Sequence, residues 1–90
     1  MSEKNSNTDD ENAKYRIAIG ERLKSERDRL GISVADLAQS SSLPKRTIYG
    51  WETGATTPKA DFFAANASLG LDVAFILTGQ RLQESAQNVI

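Results

Sequence analysis

Apolar residues recur along this chain at helical spacing, and nowhere do they alternate at the two-residue period of a strand. Between Ala13 and Leu30 the stripe of Ile19, Leu23 and Leu30, with Tyr15 one turn earlier, predicts a long amphipathic helix that Gly31 stops. Ser33 is an N-cap residue for a second helix over 34–40, with Ala35, Leu37 and Ala38 as packing residues. Three serines, Ser40 to Ser42, make a short polar turn. Pro44 suits the first position of a third helix that ends at Gly54, in which Ile48 and Trp51 share a face with Leu43. After a loop at Thr56-Thr57-Pro58, a fourth helix spans 59–69 with Phe62, Phe63, Ala67 and Leu69 as its apolar members, and Gly70 closes it. Asp72 caps a short fifth helix over 73–77 that is nearly all apolar and therefore expected to be buried; Thr78-Gly79 ends it. Leu82, Ala86 and Val89 form a weak stripe over 80–90, either a sixth helix or a linker. The predicted class is all-α.

Ninety residues suffice for one small domain. Three segments are expected: a disordered acidic tail over 1–12, a folded domain over 13–79, and the helix or linker over 80–90. The tail holds Glu3, Asp9, Asp10 and Glu11 against Lys4 alone, so it accounts for the net charge of −1 and leaves a mildly basic body. That balance is compatible with nucleic acid without demanding it. Cysteine and histidine are both absent. Disulfides, the usual zinc sites and the commonest general base are thereby excluded, and no paired carboxylates mark a cleft. The reading is a non-enzyme with no cofactor and no small-molecule substrate. No apolar run is long enough for a membrane span, and Ser2-Glu3-Lys4-Asn5 is not a secretory start, so a cytoplasmic location is expected.

Helix 34–40, turn 41–43 and helix 44–53 have the proportions of a helix-turn-helix, with the small Ala38 where the two helices approach. In the third helix Ile48 and Trp51 point inward, while Lys45, Arg46, Tyr49, Gly50 and Thr53 point outward. In such a motif the N-terminal residues of the second helix reach base edges, and Lys and Arg favour guanine O6 and N7. Tyr49 fits a thymine methyl or a phosphate. Gly50 costs about 1 kcal/mol against Ala in mid-helix, and close approach to a groove floor is a reason for it. The inward stripe of the first helix passes through Arg27, and Glu52 lies on the inner edge of the third. A buried Arg needs a partner, which predicts an Arg27–Glu52 pair.

The segment from Gly31 through Leu37-Ala38-Gln39, Leu43-Pro44-Lys45-Arg46-Thr47-Ile48 and Trp51-Glu52 to Gly54 resembles the Cro and phage-repressor class of helix-turn-helix proteins. Pro58 and the run Leu71 to Gly79 resemble it too, so the likeness covers residues 13–79. It implies a five-helix, lambda-repressor-like domain that binds double-stranded operator DNA, usually as a homodimer on a near-palindromic site. By position it implies base reading by Lys45, Arg46, Tyr49 and Gly50. It puts Thr47, Thr53 and Lys59 near phosphates, with Ser33 and Val34 at the backbone-facing start of the second helix, and matches Arg27 and Glu52 to the family's interhelical ion pair. Two positions depart from the family: Val34 stands where Gln is common, and Ser42 where a turn Gly is common. The resemblance implies either a stand-alone regulator, a repressor above all, or an excised N-terminal domain. The alternative is a protein-interaction module or antitoxin that keeps the fold with weak or no DNA binding. Helix five with Leu82 and Ala86 is the candidate dimer surface, although Phe75, Ile76 and Leu77 also suit a core.

Overall fold

The computed structural model describes residues 2–82. Five α-helices follow in order, α1 (Ser2–Arg29), α2 (Val34–Ser41), α3 (Lys45–Glu52), α4 (Ala60–Asn66) and α5 (Val73–Thr78), with one 3-10 turn at Ala67–Leu69 between the last two. No strand occurs among the described residues. α1 starts at Ser2, so residues 2–12 are helical where composition predicts an irregular tail. That stretch contains neither glycine nor proline. Once a helix is nucleated, each added residue gains a hydrogen bond for fixing only itself. Ala86 and Val89 lie outside the described residues.

Successive helix ends determine how the chain turns. At the end of α1, Gly31 is left-handed at φ 70°, with Gly31 N–H bonded to the Asp28 carbonyl and Ile32 N–H to that of Arg27. The end of α2 repeats this Schellman geometry at Ser42, φ 56°, with Ser42 N–H on Gln39 and Leu43 N–H on Ala38. The turn between α2 and α3 is thus Ser42-Leu43-Pro44, one residue later than the pattern predicts. Ser33 Oγ accepts from Asp36 N at 3.0 Å, and Asp72 Oδ1 accepts from Phe75 N at 3.0 Å, so α2 and α5 carry side-chain N-caps.

Every helix contributes to one core: Leu23 from α1, Leu37 and Ala38 from α2, Ile48 and Trp51 from α3, Phe62 and Phe63 from α4, Leu71 just before α5, and Ile76 within it. Trp51 meets Phe62 edge-on with ring centroids 4.8 Å apart, and Phe62 meets Phe63 likewise at 5.3 Å. α1 lies against α3 through backbone. A Cβ on Gly20 would collide with the Trp51 carbonyl, so only glycine allows this approach.

Several apolar positions fall outside the core. Tyr15 and Ala35 are exposed; one residue after Tyr15, Arg16 bonds the Gly54 carbonyl. Ala67 and Leu69 are exposed because the chain tightens into a 3-10 turn after Asn66, which rotates them off the face of Phe62 and Phe63. α5 is not buried all round. Ile76 is fully enclosed and Val73 and Phe75 are half-buried, whereas Leu77 is 48% exposed. One short helix resting on the body can bury only one side.

Candidate nucleic-acid interface

α3 has two chemically distinct sides. Ile48 and Trp51 are buried, and Lys45, Arg46 and Tyr49 are exposed. Pro44 directs the chain into the helix from an extended conformation, placing Lys45 and Arg46 in the first turn. Gly50 is half-buried; a Cβ there would meet only Thr56 Oγ1, at 3.4 Å, an ordinary contact. Nothing among the described residues therefore requires glycine at this position. Thr53 is the C-cap, and its hydroxyl donates to the Gly50 carbonyl at 3.2 Å. Thr47 is half-buried and turned to the side of α3 that faces the loop before α4. Lys59 is exposed immediately ahead of α4. Ser33 caps α2, and Val34 is half-buried with its side chain packed against the core.

Arg27 and Glu52 come together in a two-pronged fork. Arg27 Nε donates to Glu52 Oε2 at 2.8 Å and Nη2 to Oε1 at 3.2 Å. The remaining Nη1 donates to the Ile32 carbonyl at 2.9 Å and lies 3.3 Å from Asp28 Oδ1. The hydrogen bonds from Glu52 raise the Arg27 pKa above its ordinary value, although burial opposes this. The fork clamps the C-terminal end of α3 to α1 and the chain that follows α1, which fixes the rotation of the exposed side.

Its neighbour Glu26 was not among the candidate residues, yet it is fully buried. Arg29 donates to both of its oxygens at 2.9 and 2.8 Å, Arg81 Nη2 to Oε2 at 2.8 Å, and the Asp72 amide to Oε1 at 2.9 Å. Arg29, chiefly, together with Arg81 and Asp72 N–H, overcomes burial and lowers the Glu26 pKa from 4.5 to about 2. Arg81 also bonds Asp72 Oδ2 at 3.0 Å and lies 4.0 Å over the Phe75 ring. The packed body thus reaches Arg81, beyond residue 79. Position 26 is three residues past Leu23 and four before Leu30, a spacing that marks it as inward as position 27. Asn66 is a second buried polar residue, bonded to the Phe62 carbonyl at 3.0 Å and Ser41 Oγ at 3.1 Å, which gives the serine-rich end of α2 a partner in α4.

Among the described residues no buried side-chain nitrogen or oxygen lacks a partner, and no acidic cluster has metal-binding spacing. No described helix is long and apolar enough to cross a membrane. The arrangement presents one short helix on a packed support. A short helix with basic residues in its first turn, braced from behind by a preceding helix, is the geometry that enters a DNA major groove. No curated protein and no solved structure matches the chain. Residues 18–72, more than half of it, match the helix-turn-helix domain, a span that holds both members of the Arg27–Glu52 fork and all of α2 and α3. The chain belongs to the helix-turn-helix domain family, whose members bind DNA.

Proposed function

We propose that this domain is a sequence-specific transcription repressor of phage or bacterial type, which docks α3 in the major groove of a near-palindromic operator as a homodimer. The observation that carries this reading is the exposed side of α3, Lys45, Arg46 and Tyr49, on a helix whose other side is locked by Ile48, Trp51 and the Arg27–Glu52 fork. Lys45 and Arg46 read base edges, Tyr49 a thymine methyl or a phosphate, and Gly50 leaves room for the groove floor. Phosphates are met by Ser33, the amide of Val34, Thr47, Thr53 and Lys59. Residues 13–79 form the binding unit, and it acts in the cytoplasm. Exposed Leu77 and Leu82 beside half-buried Val73 and Phe75 support a second copy at α5, which would set two α3 helices about 34 Å apart, one DNA turn.

Selection from a random DNA pool tests this. The expected result is a palindromic consensus with half-sites about one turn apart. Lys45→Ala or Arg46→Ala should then cost about 1–3 kcal/mol and relax preference at one base position. Equal loss on every sequence would reassign both residues to phosphates. No enriched sequence would leave the protein-interaction module as the better account.

A further inference from the structure

The α1 residue Arg16 stands well before the helix-turn-helix in sequence. In the fold it is brought to the loop that follows α3, where its Nε donates to the Gly54 carbonyl at 3.1 Å. The backbones meet at the same place: a Cβ on Gly54, itself at φ 85°, would lie 2.7 Å from Ile17 Cγ1 and 2.9 Å from Ile17 Cα. This contact holds the α1 end of the guanidinium in place. Among the described residues its two terminal nitrogens have no hydrogen-bond or ion-pair partner.

Arg16 lines an open groove of about 930 Å³ between α3 and α4. Thr47, Thr56, Thr57 and Lys59 line it with Arg16, and Asp61 is the one carboxylate among its lining residues. With Ser40 and Ser41 the lining holds five hydroxyl residues and two cations against one acid, which favours an anion with several acceptor oxygens. The groove borders Thr47 on α3, the helix that also carries Lys45 and Arg46. An anion repeated along the rim of the surface that α3 enters is the DNA phosphate.

We infer that Arg16 is a phosphate-binding residue, so that α1 extends the DNA interface beyond the helix-turn-helix. This rests on the DNA-binding reading above. A guanidinium held by one nitrogen keeps its remaining donors preorganised for a phosphate, at little further entropic cost.

The test is the salt dependence of binding to the selected operator and to a scrambled duplex, with the full chain. Arg16→Gln is chosen because its amide can still donate to the Gly54 carbonyl, and a thermal melt verifies folding. Each phosphate contact contributes about 0.9 to the log–log salt slope. The slope of Arg16→Gln should be shallower by about that amount, with several-fold weaker binding on both duplexes at fixed salt, and Arg16→Lys should restore the slope. Arg16→Met, which keeps the aliphatic stem, takes its place should Arg16→Gln melt early: a shallower slope in the folded Arg16→Met protein supports the assignment, and a wild-type slope overturns it. A folded Arg16→Gln protein with the wild-type slope overturns the inference alone, as does a loss confined to one base position. If the wild-type chain shows no salt-dependent binding to either duplex, the DNA-binding reading fails and the inference fails with it.

Discussion

Glu26 and Arg27 are consecutive residues of α1, both buried, and they solve opposite problems. Arg27 is a cation gripped by a carboxylate from α3, and both side chains are enclosed, 10% and 6% exposed. Glu26 is a carboxylate gripped by two arginines that reach solvent, with Arg29 49% and Arg81 27% exposed. The first pair has no exit for either charge. The second has one trapped member whose partners can swing into water. Loss of a partner should therefore be costly in the first case and milder in the second, because the penalty comes from a stranded charge rather than from the missing bond itself.

The largest effect is expected at Glu52→Ala, which strands Arg27 and should cost about 3–5 kcal/mol in denaturant unfolding. A loss below about 1 kcal/mol would mean that Asp28 and the Ile32 carbonyl suffice to hold the guanidinium. Next comes Glu26→Gln, which keeps the shape and the bond from Asp72 N–H but removes the charge between two arginines that reach solvent. About 1–3 kcal/mol is expected. A cost equal to that of Glu52→Ala would erase the distinction between the two sites. Acid titration sharpens it. The folded-state pKa of Glu26 is lowered from 4.5 to about 2, so its contribution is fully present above about pH 4.5 and is lost as pH falls towards 2. Stability measured across that window should fall in the wild type and fall less in Glu26→Gln; parallel curves would remove Glu26 as the titrating group. The smallest effect concerns the two Schellman turns that flank α2. Gly31 takes the left-handed conformation freely and Ser42 does not, so Ser42→Gly should raise stability by about 0.5–1 kcal/mol. A lower unfolding midpoint would show that the Ser42 side chain contributes more than its backbone strain costs.

The two ionic sites also mark where the sequence was legible. The helices from α2 to α5 follow from caps and spacing, within a residue or two at most ends, because Ser33, Pro44, Asp72 and the glycines act locally. Arg27 and Glu52 could be paired in advance since each lies on the inner side of a regular stripe. Glu26 was missed because a helix face is wider than one row, and the stripe was drawn through 27 alone. Arg29 is a local partner, but the other two, Arg81 and the Asp72 amide, lie 55 and 46 residues away in sequence, and no local pattern encodes that meeting. Helicity before Ala13 was missed for a different reason: the segment has no apolar period, and its helix depends on continuation from the stretch that follows. The outward residues of α3 were identifiable from the alternation with Ile48 and Trp51. Arg16 was invisible, since its relation to Gly54 exists only once α1 crosses the end of α3.

The approach of α1 and α3 at Gly20 bears on redesign. Two helices separated by side chains can shift when a core residue changes size, and a groove-reading helix would then tilt with every repacking. Here main chain rests on main chain, so the pose of α3 is set by a spacer of zero thickness that no rotamer can adjust. Under the proposed reading, positions 45, 46, 49 and 50 are consequently separable from that pose: they would be exchanged like type in a fixed frame, changing what is read while the frame stays where it was.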